Sequence, residues 1–506
     1  MKMLSIYASS NYLDQINTII RGESRLHELV QVIDYLEERP LPSFHSLLVK
    51  QDAIWPVLDW YNESPPFLLP QNAPFNRANL LGLVYAKLNN FEKTQEQLGA
   101  ENPIWNAELD FINRLQQSIP IEPEELISDY SPFDEYRLMH NQAVVRHYAP
   151  SLAEEELDKI KYFYLEALQS ALDDEHRAFT AKHFAQLLID LGEMDDAVRV
   201  LKGAIQYALS DEAKIELKYT LCQAWMQQLS VPYDLELLDQ LKNTLWEVWQ
   251  NYKKQERPLE EAMTLTDAGI IANYSESWAE SLGYFNQAIS IFDREQQPDL
   301  AANAHFRKGS LLFTWAKNGN PQFYRAAAES FQEAAKVFTK ANAREIYAEI
   351  QHYLGIIYSE IPDEVKKKSI WAAVSSSAFQ EALQVFSKAH YPYEYATVCN
   401  HYGNALTKYP EAKLSDNIEK ALYYYQEALS IRQAQDFPLE RSLTLLNYLE
   451  AHWSLGMPED QYDEQRQQHM VEAAEEIMTI SPDPQLILLA KEHLNKLAQL
   501  KLAYDD

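Results

Sequence analysis

Apolar and polar positions follow a helical rhythm along most of this chain. After residue 135, apolar residues recur three and four apart, and short polar turns separate one run from the next. That pattern predicts a succession of amphipathic helices. Two proline-rich passages interrupt it early, "NESPPFLLPQNAPFN" over 62–76 and "SIPIEPEELISDYSPF" over 118–133. Proline lacks the backbone donor and turns the preceding residue away from helix, so both passages mark breaks. Residues 1–62 read as an irregular helical region without a repeat, and residues 76–117 as a helical pair. Residues 135–480 read as the repetitive array. The final periodic stretch, "PQLILLAKEHLNKLAQLKLAY" within 484–506, reads as a capping helix.

Internal repetition is the strongest signal. Four segments nearly superimpose: "SLGYFNQAISIF" (281–292), "AAESFQEAAKVF" (327–338), "SSSAFQEALQVF" (375–386) and "ALYYYQEALSIR" (421–432). Each carries an aromatic three residues before an alanine: Phe285/Ala288, Phe331/Ala334, Phe379/Ala382 and Tyr425/Ala428. The alanines are spaced 46, 48 and 46 residues apart, and a weaker copy at Ala474 adds another 46. An independent marker, Gly309, Gly355 and Gly403, steps by 46 and 48. These spacings predict a helix–turn–helix unit stacked on copies of itself. Small residues let two helices approach closely, the aromatic fills the space beside them, and neighbouring units bury what one unit cannot.

These residues resemble the tetratricopeptide repeat (TPR). The stretch "AFTAKHFAQLLIDLGEMDDAVRVLKGAI" (178–205) matches its small positions with Ala185, Gly192, Ala197 and Ala204, and "LLGLVYAKLNNFEKT" gives a half-match with Gly82 and Tyr85. From about residue 300 the units are enlarged. Gly269 and Ala288 lie 19 apart, as in an ordinary repeat, whereas Gly309 to Ala334, Gly355 to Ala382 and Gly403 to Ala428 span 25, 27 and 25. Over roughly 258–480 this larger form is similar to the TPR arrays that accompany bacterial CHAT-domain proteases. The resemblance implies an all-α solenoid, a right-handed superhelix of about eight or nine helical pairs.

Charge narrows the partners. With 75 acidic and 44 basic residues the formal net charge is −31. That balance disfavours nucleic acid and anionic lipid, which need a basic stripe, and it points to a protein or peptide partner of basic or neutral character. The run Lys366, Lys367, Lys368 reads as a solvated cluster in a loop. Two cysteines, Cys222 and Cys399, are too few for a disulfide framework or a zinc site. No run approaches 18 apolar residues, so a cytoplasmic protein without a membrane span is expected. Nothing in the pattern specifies an oligomeric state.

Candidate chemistry is sparse. Cys399 and His401 invite a nucleophile–base reading, but residues two apart on a helix point about 200° from each other; a buried structural role is expected for both cysteines. Carboxylate pairs such as Glu154/Glu155 and Glu475/Glu476 read as solvated helix faces. No metalloprotease, P-loop, dinucleotide or serine-hydrolase motif occurs. No cofactor and no enzymatic activity are expected.

The TPR resemblance assigns an inner face to the first helix of each unit. Asn400 and Asn404 fall there one turn apart, with Asn303, Arg307, His352 and Asn447 in equivalent zones. A carboxamide both donates and accepts, so these side chains are the candidate contacts to an extended segment. The TPR clamp for chaperone C-termini is expected to be absent: Lys182 fits its first lysine, but Gln186, Thr220 and Met263 stand where further clamp residues would be. The expected function is a non-enzymatic interaction scaffold. The alternative is a regulatory sensor that controls a separate protease or effector through a change of solenoid shape.

Overall fold

The computed structural model describes residues 4–35, 45–61, 66–98, 131–149, 156–207, 209–410, 416–455 and 463–505. Contacts divide the chain after Asn251 into two compact units.

The first unit opens with a correction. Where helices were expected over 1–62, the chain forms a mixed sheet with strand order β2-β1-β3-β4-β5. Strand β1 (Leu4–Ala8) lies parallel to β2 (Val30–Asp34) and to β3 (Ser46–Lys50). β3 turns back into β4 (Ala53–Pro56), which pairs with the two-residue β5 (Ala73–Pro74). Along β1, buried and half-buried residues alternate, as a strand's period of two requires. Helices α1 (Leu13–Arg21) and α2 (Leu26–Leu29) connect β1 to β2.

The sheet shares one core with the hairpin of α3 (Arg77–Lys87) and α4 (Phe91–Leu98): Ile6, Leu47 and Ile54 meet Leu80, Leu83 and Leu98. Leu98 covers Gly82 so closely that a Cβ there would lie 2.7 Å from it. The rest of the expected 76–117 pair lies outside the described residues.

Paired helices follow. They are α5 (Pro132–His147) with α6 (Leu157–Ser170), and α7 (Asp174–Asp190) with α8 (Met194–Ala204). After them come α9 (Asp211–Gln228) and α10 (Leu235–Lys254). The first helices of successive units, α5, α7 and α9, also touch one another.

The second unit continues the pattern. Its pairs are α11 (Pro258–Tyr274) with α12 (Trp278–Arg294), α13 (Pro298–Lys317) with α14 (Phe323–Val337), and α15 (Arg344–Glu360) with α16 (Val365–Val385). Then come α17 (Pro392–Leu406) with α18 (Asn417–Leu429), α19 (Pro438–Ser454) with α20 (Glu464–Ile480), and the final α21 (Pro484–Asp505). Helices contact their chain neighbours and the next helix but one, the contact map of a solenoid.

The expected lock between small residue and aromatic is present in four consecutive pairs. A Cβ at Gly269, Gly309, Gly355 or Gly403 would meet Phe285, Phe331, Phe379 or Tyr425 at 2.7, 2.9, 2.9 and 2.5 Å. The aromatic ring therefore rests directly on the glycine backbone. The added residues of the enlarged units mostly lengthen helices, to 20 residues in α13 and 21 in α16. Lys366, Lys367 and Lys368 consequently sit in the first turn of α16, not in a loop, and Lys367 pairs with Asp363 at 3.5 Å.

Candidate functional site

In the first unit the chain fills its own inner face. Trp60 is buried edge-on against Phe179, with centroids 5.2 Å apart, and donates from Nε1 to Glu175 at 3.1 Å. Lys182 donates to the Trp60 carbonyl at 3.0 Å and pairs with Glu216 at 2.5 Å. The imidazole of His140 meets the Pro66 carbonyl through Nε2 at 3.0 Å. Beside it, Asn141 accepts from the Leu68 N–H at 2.8 Å and donates to the Leu68 carbonyl at 3.0 Å. Helices α5 and α7 thus hold Trp60, Pro66 and Leu68 by their main-chain groups. Lys182, the clamp-like lysine, is occupied by this internal contact.

The second unit keeps its inner face open. A cavity of about 840 Å³ lies between α13, α15 and α17. Aromatic and apolar walls come from Phe313, Tyr353, Tyr391 and Tyr393, with Ile346 exposed beside them. Four carboxylates line it, Glu345, Glu349, Glu360 and Glu394, against two lysines, Lys317 and Lys408. Lys408 is paired with Glu360, and Tyr391 donates its hydroxyl to Glu345 at 2.6 Å. Burial raises the Glu349 carboxyl above its ordinary range, with Arg307 pulling the other way. Glu394 belongs to no ion pair among the described residues.

The six expected contacts separate in this setting. His352 and Asn404 line the cavity. Asn303 and Arg307 are exposed on α13, outside the cavity lining. Asn400 is buried, and its Oδ1 accepts from Asn447 Nδ2 at 3.2 Å, so this pair ties α17 to α19. The carboxamide oxygen of Asn404 is also engaged, accepting from the Tyr425 hydroxyl at 2.7 Å. Tyr425 stands where Phe285, Phe331 and Phe379 stand in the other units, and its extra hydroxyl needs an acceptor. Only the Nδ2 donors of Asn404 are left to face the cavity.

His352 pairs across the cavity with a residue that sequence reasoning placed only in a rejected catalytic dyad. Its Nε2 lies 2.8 Å from Nδ1 of His401. The rings are nearly coplanar, 26° apart with centroids 5.0 Å apart, the arrangement of an in-line N–H···N bond. Burial holds His352 well below its ordinary range, helped by His401, and holds His401 at about 4, helped by Arg432 and Lys317. Both rings are therefore neutral near pH 7. The signal that could have found the pair is the repeat step: the two residues are 49 apart, about one unit.

Cys399 is fully buried against Ala396 and Ala428, and burial pushes its thiol up to about 12. A thiol held neutral is no nucleophile. Cys222 is likewise buried. Among the described residues no group of three or more His, Cys, Asp or Glu could hold a metal ion, and no helix is long and apolar enough to cross a membrane.

No family model matches the chain, and no curated protein does. Solved structures do. A signal transduction ATPase with numerous domains, which carries a tetratricopeptide repeat sensor and comes from Pyrococcus horikoshii, aligns over 79% of this chain at 16% identity, with a TM-score of 0.51. The fold is a TPR-like α-solenoid. The alignment spans 56% of the Pyrococcus protein, little more than half its length. The apo quorum sensor NprR from B. thuringiensis aligns over 72% of this chain and 99% of its own, at 12% identity and a TM-score of 0.45.

Proposed function

We propose that this protein is a non-enzymatic interaction module whose second-unit groove receives an extended, basic segment of a partner protein. One observation carries the reading. The cavity between α13, α15 and α17 is open and lined by four carboxylates to two lysines, while the first unit's inner face is occupied by Trp60, Pro66 and Leu68. Apolar walls with acidic rims suit a strand of alternating apolar and basic side chains.

The test is titration of the full chain with a blocked hexapeptide of alternating leucine and lysine. Binding should weaken with rising salt and with Glu349→Gln and Glu394→Gln together. Absence of binding overturns the reading, and binding indifferent to salt and to both substitutions overturns its charge element.

A second reading is regulatory: a sensor that controls a separate protease or effector through a change of solenoid shape. The likeness to a structure whose TPR portion is described as a sensor favours it. Small-angle scattering of the chain with and without the bound hexapeptide should then differ. An unchanged profile counts against it.

A further inference from the structure

The His352–His401 pair has a chemical property that neither ring has alone. A neutral imidazole carries one N–H and one bare nitrogen. The bond between His352 Nε2 and His401 Nδ1 uses one donor from one ring and one acceptor from the other. If His352 donates, its Nδ1 is bare and His401 Nε2 carries the proton. If His401 donates, the two outward nitrogens exchange roles. In both cases the pair presents one donor and one acceptor. Among the described residues neither outward nitrogen meets a protein hydrogen-bonding partner. Both rings line the cavity, with Asn404 nearby.

We propose that the His352–His401 pair is the amide-recognition element of the second-unit groove, binding the main-chain N–H and C=O of an extended segment. This rests on the groove reading above and adds the chemistry of its floor. A peptide bond is the common ligand group that offers one donor and one acceptor together, without charge. Moving the shared proton along the bond, while solvent carries a second from the outward nitrogen of the ring that gains it to that of the ring that loses it, inverts the pair's polarity with both rings neutral, so the element fits a peptide running in either direction. Asn141 performs the same service for Leu68 in the first unit, with a carboxamide whose polarity is set by its two different atoms. Glu349 and Glu394, in the same cavity, are placed for basic side chains of the same segment.

The experiment uses the full chain labelled with ¹⁵N-histidine and the blocked leucine–lysine hexapeptide. In the free protein each of the two rings should show one protonated and one bare nitrogen. Added hexapeptide should shift both outward nitrogens. Methylating the peptide's backbone nitrogens, or His352→Phe, should weaken binding about tenfold, the effect of losing one hydrogen bond. An unmethylated hexapeptide that binds without moving either ring, or a methylated one that binds equally well, overturns the element and leaves the groove reading standing. Should the hexapeptide not bind at all, the groove reading falls. N-methylacetamide, a bare amide, then decides the pair: shifts at both outward nitrogens uphold it, and their absence overturns it.

Discussion

Asn141 closes both arms of its carboxamide on the main chain of Leu68, and both residues are buried. The side chain satisfies an N–H and a C=O that no strand or helix pairs. Asn141→Ala should therefore cost about 2 to 3 kcal/mol, the penalty of leaving buried peptide groups without partners. Hydrogen exchange at the Leu68 amide should quicken with it. An amide as protected as in the native chain would show that this contact does not hold the segment.

Gly355 and Gly283 predict opposite outcomes for one substitution. A Cβ at Gly355 would press on Phe379 at 2.9 Å, whereas one at Gly283 meets nothing within 4 Å. Gly355→Ala should destabilise by about 1 to 3 kcal/mol through overpacking. Gly283→Ala should stabilise by about 0.5 to 1 kcal/mol, since alanine is the better helix former. Urea denaturation of both variants checks the pair of signs, and equal effects would sink the close-packing argument.

Tyr425 and Asn404 should be coupled. Tyr425→Phe costs about 1 kcal/mol in the native chain, the value of one hydrogen bond. In an Asn404→Ala background the same change should cost far less. A double-mutant cycle with no interaction energy would make Asn404 purely a groove residue.

His140 supplies a pH dependence. Burial holds its ring at about 4, against an ordinary value of 6.5, although its bond to the Pro66 carbonyl pulls upward. The unfolded chain takes up a proton below pH 6.5 and the folded one does not until about 4. The contribution is whole above 6.5 and falls away towards 4, by about 3 kcal/mol in all. Denaturation curves should show that loss, and the ring's ¹⁵N signals should stay neutral at pH 5. A His140 ring already protonated at pH 6 would refute it.

The array was legible because its two markers recur on one step, and each marker proved to be half of a contact. Gly309 touches Phe331, and Gly355 touches Phe379. The sheet was not legible, for local reasons. Its strands are at most five residues long, too short to separate a period of two from a helical one. The β3–β4 turn puts Gln51 and Asp52 at φ of 50° and 58°. Such a turn usually announces itself by Asn-Gly or Asp-Gly. Here the Tyr12 hydroxyl, donating to the Asp52 carboxylate at 2.7 Å and accepting from its N–H at 2.8 Å, holds the backbone instead. A partner 40 residues away leaves no mark in the turn's own sequence.

The candidate site was half legible for a related reason. Helical phase placed Asn400, Asn404 and His352 on one side of their helices, and of these His352 and Asn404 line the cavity. It carried no information about what stands opposite, so the engagement of Asn400 by Asn447 and of Asn404 by Tyr425 could not be seen.

The glycine–aromatic lock lies within each of four helical pairs, and none of the groove carboxylates belongs to it. The lock and the charges of the groove are thereby assigned to different residues of the same unit. Lining positions such as Ile346, Glu349 and Glu394 can be exchanged like type in a printer's tray, with the locks left in place. Grafting a new set of lining side chains onto α15 and α17 would reprogram what the groove accepts without redesigning the scaffold that carries it.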